Sequence, residues 1–106
     1  MSERVVALST VANASDAERI ARALVERRLV ACVNVLPGVV SIYRWQGEVR
    51  KDQECLLVMK TSAEALEPLR SALVALHPYE VPELVAWPIS AGHDPYLRWI
   101  DDSLSP

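Results

Sequence analysis

Residues 29–61 read LVACVNVLPGVVSIYRWQGEVRKDQECLLVMKT, and the parsing of this stretch decides the fold. Leu29 to Val35 and Val39 to Trp45 form one long strand interrupted by Pro37-Gly38. That pair suits a bulge or kink, because proline lacks a ladder donor and glycine tolerates the bend. Gln46-Gly47 marks a hairpin turn, and Glu54 to Thr61 reads as the returning strand. Cys55-Leu56-Leu57-Val58-Met59 is apolar at every position, the pattern of a sheet covered on both faces. With the turn centred between Gln46 and Gly47, Cys32 faces Thr61 and Cys55 faces Gly38. The two thiols then lie about 20 Å apart along the ladder, beyond disulfide reach. Both are expected to be free, as in a reducing cytosol, and their plain reading is as small core residues.

Working outward, Arg4 to Val11 is β-branched and apolar and predicts a first strand. Ser15 with Glu18 forms a capping-box pattern, so a helix is expected to start there. Ala17, Ile20, Ala21 and Leu24 supply its apolar stripe. Leu66, Leu69, Leu73 and Leu76 set a second helix, expected to start at Thr61 or Ser62. Pro68 sits late for a first-turn proline, which predicts a later start or a kink. Pro78 ends that helix by forcing His77 into an extended conformation. Val81 to Ile89, with Pro82 and Pro88, predicts a fourth strand near an edge. Asp94 to Asp102 predicts a short terminal helix with Asp94 as cap and Pro95 at its first position. The order β-α-β-β-α-β is the α+β, ferredoxin-like arrangement, with both main helices on one face. Because the strands are apolar on both sides, the second face is expected to be covered by another subunit.

Composition narrows the function. The chain has 106 residues, 51% hydrophobic and 6% aromatic with no Phe, so its core must be aliphatic and residues 1–106 read as one domain. A net charge of -3 argues against a nucleic-acid partner. The longest uncharged run, Leu29 to Tyr43, contains Pro37-Gly38 and falls short of the about 20 apolar residues a membrane span needs. Met1-Ser2-Glu3-Arg4 leads into the first strand without a basic region or cleavage-like site, which reads as cytoplasmic. No phosphate loop, dinucleotide fingerprint or nucleophile elbow is present, and nothing positions groups for catalysis, so no enzyme is expected.

Two histidines, His77 and His93, with no C-x-x-C or H-x-x-x-H spacing do not support a closed zinc site. Any metal site would be sparse or shared between chains. In an extended segment after His77, alternation would put His77, Tyr79, Val81 and Glu83 on one side and Glu80 on the other. All six aromatics fall between residues 43 and 99, with Tyr43 and Trp45 on one face of their strand.

Ala31-Cys32-Val33-Asn34, Pro37-Gly38-x-x-Ser41-x-Tyr43-x-Trp45-x-Gly47, Lys60-Thr61, His77-Pro78-Tyr79-Glu80-x-Pro82-Glu83 and Tyr96-Leu97-x-Trp99 occur in one order. Together they resemble the CutA divalent-cation tolerance proteins. The resemblance implies a ferredoxin-like subunit forming a homotrimer similar to the PII signalling proteins, with a role in tolerance of copper and other divalent cations. It also implies a metal site with a thiol at the end of the first strand and two histidines before Pro-Tyr. Here those positions hold Ser9 and Leu76-His77, so only His77 remains. The metal-ligand candidates are therefore His77, Glu83 and Cys32, for Cu2+ or another divalent cation at sites between subunits, with no cofactor required. A PII-like sensor would instead bind a small anion or metabolite between Trp45, Lys60, Tyr79 and Glu83. A structural trimer without ligand is the third reading.

Overall fold

The computed structural model describes residues 3–106. Met1 and Ser2, which belong to the start read as leaderless, lie outside the described residues. The elements run β1 (Arg4–Val11), α1 (Ala14–Glu26), β2 (Cys32–Trp45), β3 (Glu48–Ser62), α2 (Leu66–Leu76), β4 (Val85–Pro88) and α3 (Asp94–Leu104). The strands form one antiparallel sheet in the order β2-β3-β1-β4. This is the expected ferredoxin-like topology.

Alternation along β1 and β3 sorts the two faces. Ala7, Val11, Leu57 and Met59 point toward α1 and α2, where they pack with Ile20, Leu24, Leu69 and Leu73. The four named helix residues, with Leu57 and Met59, are wholly inaccessible to solvent. Burying such a side chain stabilises the fold by about 1.5–3 kcal/mol. Cys55 joins this core, while Cys32 is half-buried, and both thiols are free. The register places Val6, Leu8, Val58, Lys60, Cys32 and Asn34 on the opposite face. There α3 covers one end: the Arg4 guanidinium grips the Asp101 carboxylate at 2.9 and 2.6 Å, and the Tyr96 hydroxyl lies 3.8 Å from Cys32 Sγ. The rest of that face keeps apolar groups open, with Leu36 43%, Val85 51% and Trp87 47% exposed. The two-sided apolar pattern is thus only partly answered within the chain.

Several boundaries differ from expectation. The returning strand begins at Glu48, directly after the turn, because Gln46 and Gly47 both take positive φ (50° and 81°) and close a two-residue hairpin. Pro37-Gly38 does form the bulge, with Gly38 at φ 76°, and the extra residue shifts the register so that Cys32 faces Lys60 rather than Thr61. Helix α1 is capped by Asn13, whose Oδ1 accepts the Asp16 N–H at 2.8 Å, and not by Ser15, which lies within the first turn. Helix α2 starts at Leu66, so Pro68 stands in the first turn, where no intrahelical donor is lost. His77 is extended (ψ 135°) as Pro78 requires. Strand β4 covers only Val85–Pro88. Pro82 cannot donate to a ladder, and residues 77–84 are diverted into a loop. In α3 the cap is His93, with Asp94 already helical.

Candidate functional site

A cleft of about 580 Å3 opens where the far half of the β2–β3 hairpin leaves the body of the sheet. The bulge determines what faces it. Before Pro37, the even-numbered residues of β2 share the face of Leu56, Val58 and Lys60; after Gly38, the odd-numbered residues do. The extra residue therefore aligns Ser41, Tyr43 and Trp45 with Arg50 and Glu54 of β3. Without it the even-numbered residues of that part of β2 would share the face of Arg50 and Glu54 instead. The loop after α2 closes the opposite side with Tyr79, Glu80 and Glu83, and Thr10 at the end of β1 forms part of the floor.

His77 holds that loop in place. Its Nδ1 accepts the Tyr79 N–H at 3.1 Å, which leaves Nε2 to donate to the Thr10 carbonyl at 2.7 Å. The ring is 7% exposed and packs on Tyr79 at 4.6 Å between centroids. Both nitrogens are thus engaged inside the chain. Tyr79 in turn donates its hydroxyl to Glu54 Oε2 at 2.5 Å. Burial, followed by that bond and the Glu54 charge, pushes the Tyr79 hydroxyl well above the usual phenol range, so it stays a donor. Tyr43 donates to Asp52 across the ribbon, and this bond raises its hydroxyl as well. Thr10 Oγ1 donates to Glu83 Oε1 at 3.5 Å, a long bond that leaves the carboxylate free to take another partner.

The candidates named from the sequence fall into two groups. Trp45, Tyr79 and Glu83 line the cleft, with His77 directly behind them. Cys32 and Lys60 do not. They pair across β2 and β3 four ladder positions from the Thr10–Leu56 row, about 13 Å away at the usual strand rise. Lys60 donates to Asn34 Oδ1, and Cys32 lies beside Tyr96. Within one chain His77, Glu83 and Cys32 therefore form no common ligand set, and among the described residues no group of three or more His, Cys, Asp or Glu is close enough to hold a metal ion. The alternation expected along 77–83 fails because the segment is a loop: Glu80 lines the cleft together with Val81 and Glu83. Ser9, which the resemblance put where a thiol was expected, is fully buried on the helix-covered face, and its Oγ has no partner among the described residues.

Glu54, Arg50 and Thr10 escaped the sequence reading. The one available signal was Glu54, a carboxylate immediately before an apolar run. It is only 9% exposed. Such a group needs a buried partner, which Tyr79 supplies from a distant segment.

The sequence profile of the CutA1 divalent ion tolerance proteins matches residues 5–103. This chain belongs to that family. It is 54% identical over 98 residues to a divalent-cation tolerance protein CutA of Thermus thermophilus, covering 92% of this chain and 95% of that protein. It is 44% identical to human protein CutA over 94 residues, which spans 89% of this chain but 52% of the human one. A crystal structure of CutA from Xylella fastidiosa superposes with a TM-score of 0.94 at 43% identity, covering 98% of this chain and 100% of that one. As a CutA1 family member the chain belongs to no known enzyme family. Among the described residues no helix is long and apolar enough to cross a membrane.

Proposed function

We propose that the protein serves divalent-cation tolerance by binding such ions weakly, copper among them, at sites completed between the copies of a homotrimer, and that it acts as a binding protein and not as an enzyme. The observation that supports this most is the charge of the cleft: Glu54, Glu80 and Glu83 against the single guanidinium of Arg50. Carboxylates suit hard and borderline divalent ions. Glu83, held among the described residues only by the long Thr10 bond, is the first ligand. His77 joins it only by giving up Thr10 or Tyr79, which is the physical reason for low affinity. Cys32, on the far part of the sheet, contributes only if a second copy brings it near another chain's carboxylates. The homotrimer is supported by the apolar residues left open on the sheet face and on the ribbon. Two free thiols suit a reducing compartment such as the cytoplasm.

The anion-sensor reading is less well supported, because Lys60 is outside the cleft and leaves Arg50 as its sole cation. Calorimetric titration with Cu(II) and Zn(II), alongside light scattering, tests the proposal. The expected result is a mass about three times the 11.8 kDa chain and a weak heat that Glu83→Gln removes and His77→Ala alters. A monomer at micromolar concentration, or heat unchanged by both substitutions, would overturn it.

A further inference from the structure

The walls of the cleft carry more than carboxylates. Tyr43 and Trp45 from β2 and Tyr79 from the loop line it together with Glu54 and Glu83. A divalent ion needs oxygen or nitrogen donors and makes no use of ring faces. An alkylated ammonium uses both: its low charge density is stabilised by the negative faces of aromatic rings, and nearby carboxylates add an attractive field. The volume, about 580 Å3, is far larger than a single metal ion requires and suits a small organic molecule.

Each part of the arrangement is fixed by the fold. The bulge at Pro37-Gly38 brings Tyr43 and Trp45 to the Glu54 side. Tyr79 is anchored at both ends, by its N–H to His77 and by its hydroxyl to Glu54. The opposing charge in the cleft, Arg50, has its guanidinium 3.9 Å from the Glu48 carboxylate, which draws it toward the ribbon tip. Glu80 and Glu83 then face the open volume.

From this geometry we infer that the cleft is a binding site for a small organic cation of the alkylammonium class, held by Trp45 and Tyr79 through their rings and by Glu83 through charge. The inference goes beyond the divalent-cation reading, with which it shares the cleft and the Glu83 carboxylate. Titration of the full chain with tetramethylammonium, against tert-butanol as a neutral probe of similar size, at constant ionic strength and followed by the Trp45 indole N–H resonance, is the test. Saturable shifts with tetramethylammonium are expected, with tert-butanol about tenfold weaker. Trp45→Leu is expected to weaken binding about tenfold and Trp45→Phe to restore part of it, as cation–ring attraction requires. In these variants, calorimetry replaces the lost indole signal. Glu83→Gln, at an exposed loop position that does not threaten folding, is expected to weaken binding severalfold. The Zn(II) heat of Trp45→Leu should stay as in the wild type, since indole is no metal ligand, so failure of either reading is seen separately. Equal binding of tert-butanol, absence of saturation, or indifference to both Trp45→Leu and Glu83→Gln would overturn the inference.

Discussion

The two halves of the β2–β3 hairpin are built from the same two strands yet obey different rules. From Cys55 to Thr61, β3 alternates between buried and half-buried residues, under α1 and α2 on one side and partly under α3 on the other. From Glu48 to Gln53 every residue of β3 is exposed, Val49 at 66%, and the facing part of β2 carries Val40 and Ile42 in solvent, with Ile42 69% exposed. A bare two-stranded ribbon is marginal by itself. The inner half is therefore held by this chain's own core, and the outer half depends on whatever it meets. The candidate cleft lies at the seam between them, where Glu54 is the last buried residue before β3 runs out into solvent.

The sharpest way to break this comparison is to damage each half in turn. Leu57→Ala is expected to lower the unfolding free energy by about 3 kcal/mol, read from urea melts, because it leaves a cavity under two helices. Ile42→Asp should leave the far-ultraviolet spectrum intact while lowering the mass seen in solution. A mass that does not change would make the ribbon an ordinary solvated face and end the distinction.

A smaller effect of opposite sign sharpens the inner half. Ser9 Oγ is buried without a partner among the described residues, so Ser9→Ala is expected to stabilise the chain by about 1 kcal/mol, again read in urea. No gain would mean that the hydroxyl finds a partner in solution.

The smallest effect concerns the junction of α3 with β1. Arg4, by its hydrogen bond and charge, holds the Asp101 carboxyl below the usual carboxylate range. A lowered folded pKa stabilises above the unfolded value, near pH 4, and that contribution disappears as pH falls through the folded value. Asp101→Asn should thus reduce stability slightly at neutral pH and flatten the acid side of the melting profile. An unchanged acid limb would mean that the pair contributes nothing in solution.

Much of the fold could be read directly. The apolar run at 55–59, the breaks at Pro37-Gly38 and Gln46-Gly47, and the leucine spacing of α2 are local signals, and the structure follows them. The site was legible only in part. Trp45, Tyr79 and Glu83 stood out as aromatic or charged residues near chain turns, and they do line one cleft. Lys60 and Cys32 belonged to equally conspicuous segments and lie elsewhere, because conspicuousness in sequence carries no information on distance. Glu54 was missed because its partner is Tyr79, brought to it only when the loop after α2 folds over the end of β1.

The sequence by itself determined the order of elements, the aliphatic core, and the presence of more apolar strand surface than two helices can cover, since hydrophobic period and backbone-breaking residues act locally. Tertiary structure alone decided the parity change across the bulge, the commitment of both His77 nitrogens, and the gathering of rings and carboxylates into one cleft. Those depend on register and on contacts between distant segments, and a single inserted residue reverses which side chains face one another.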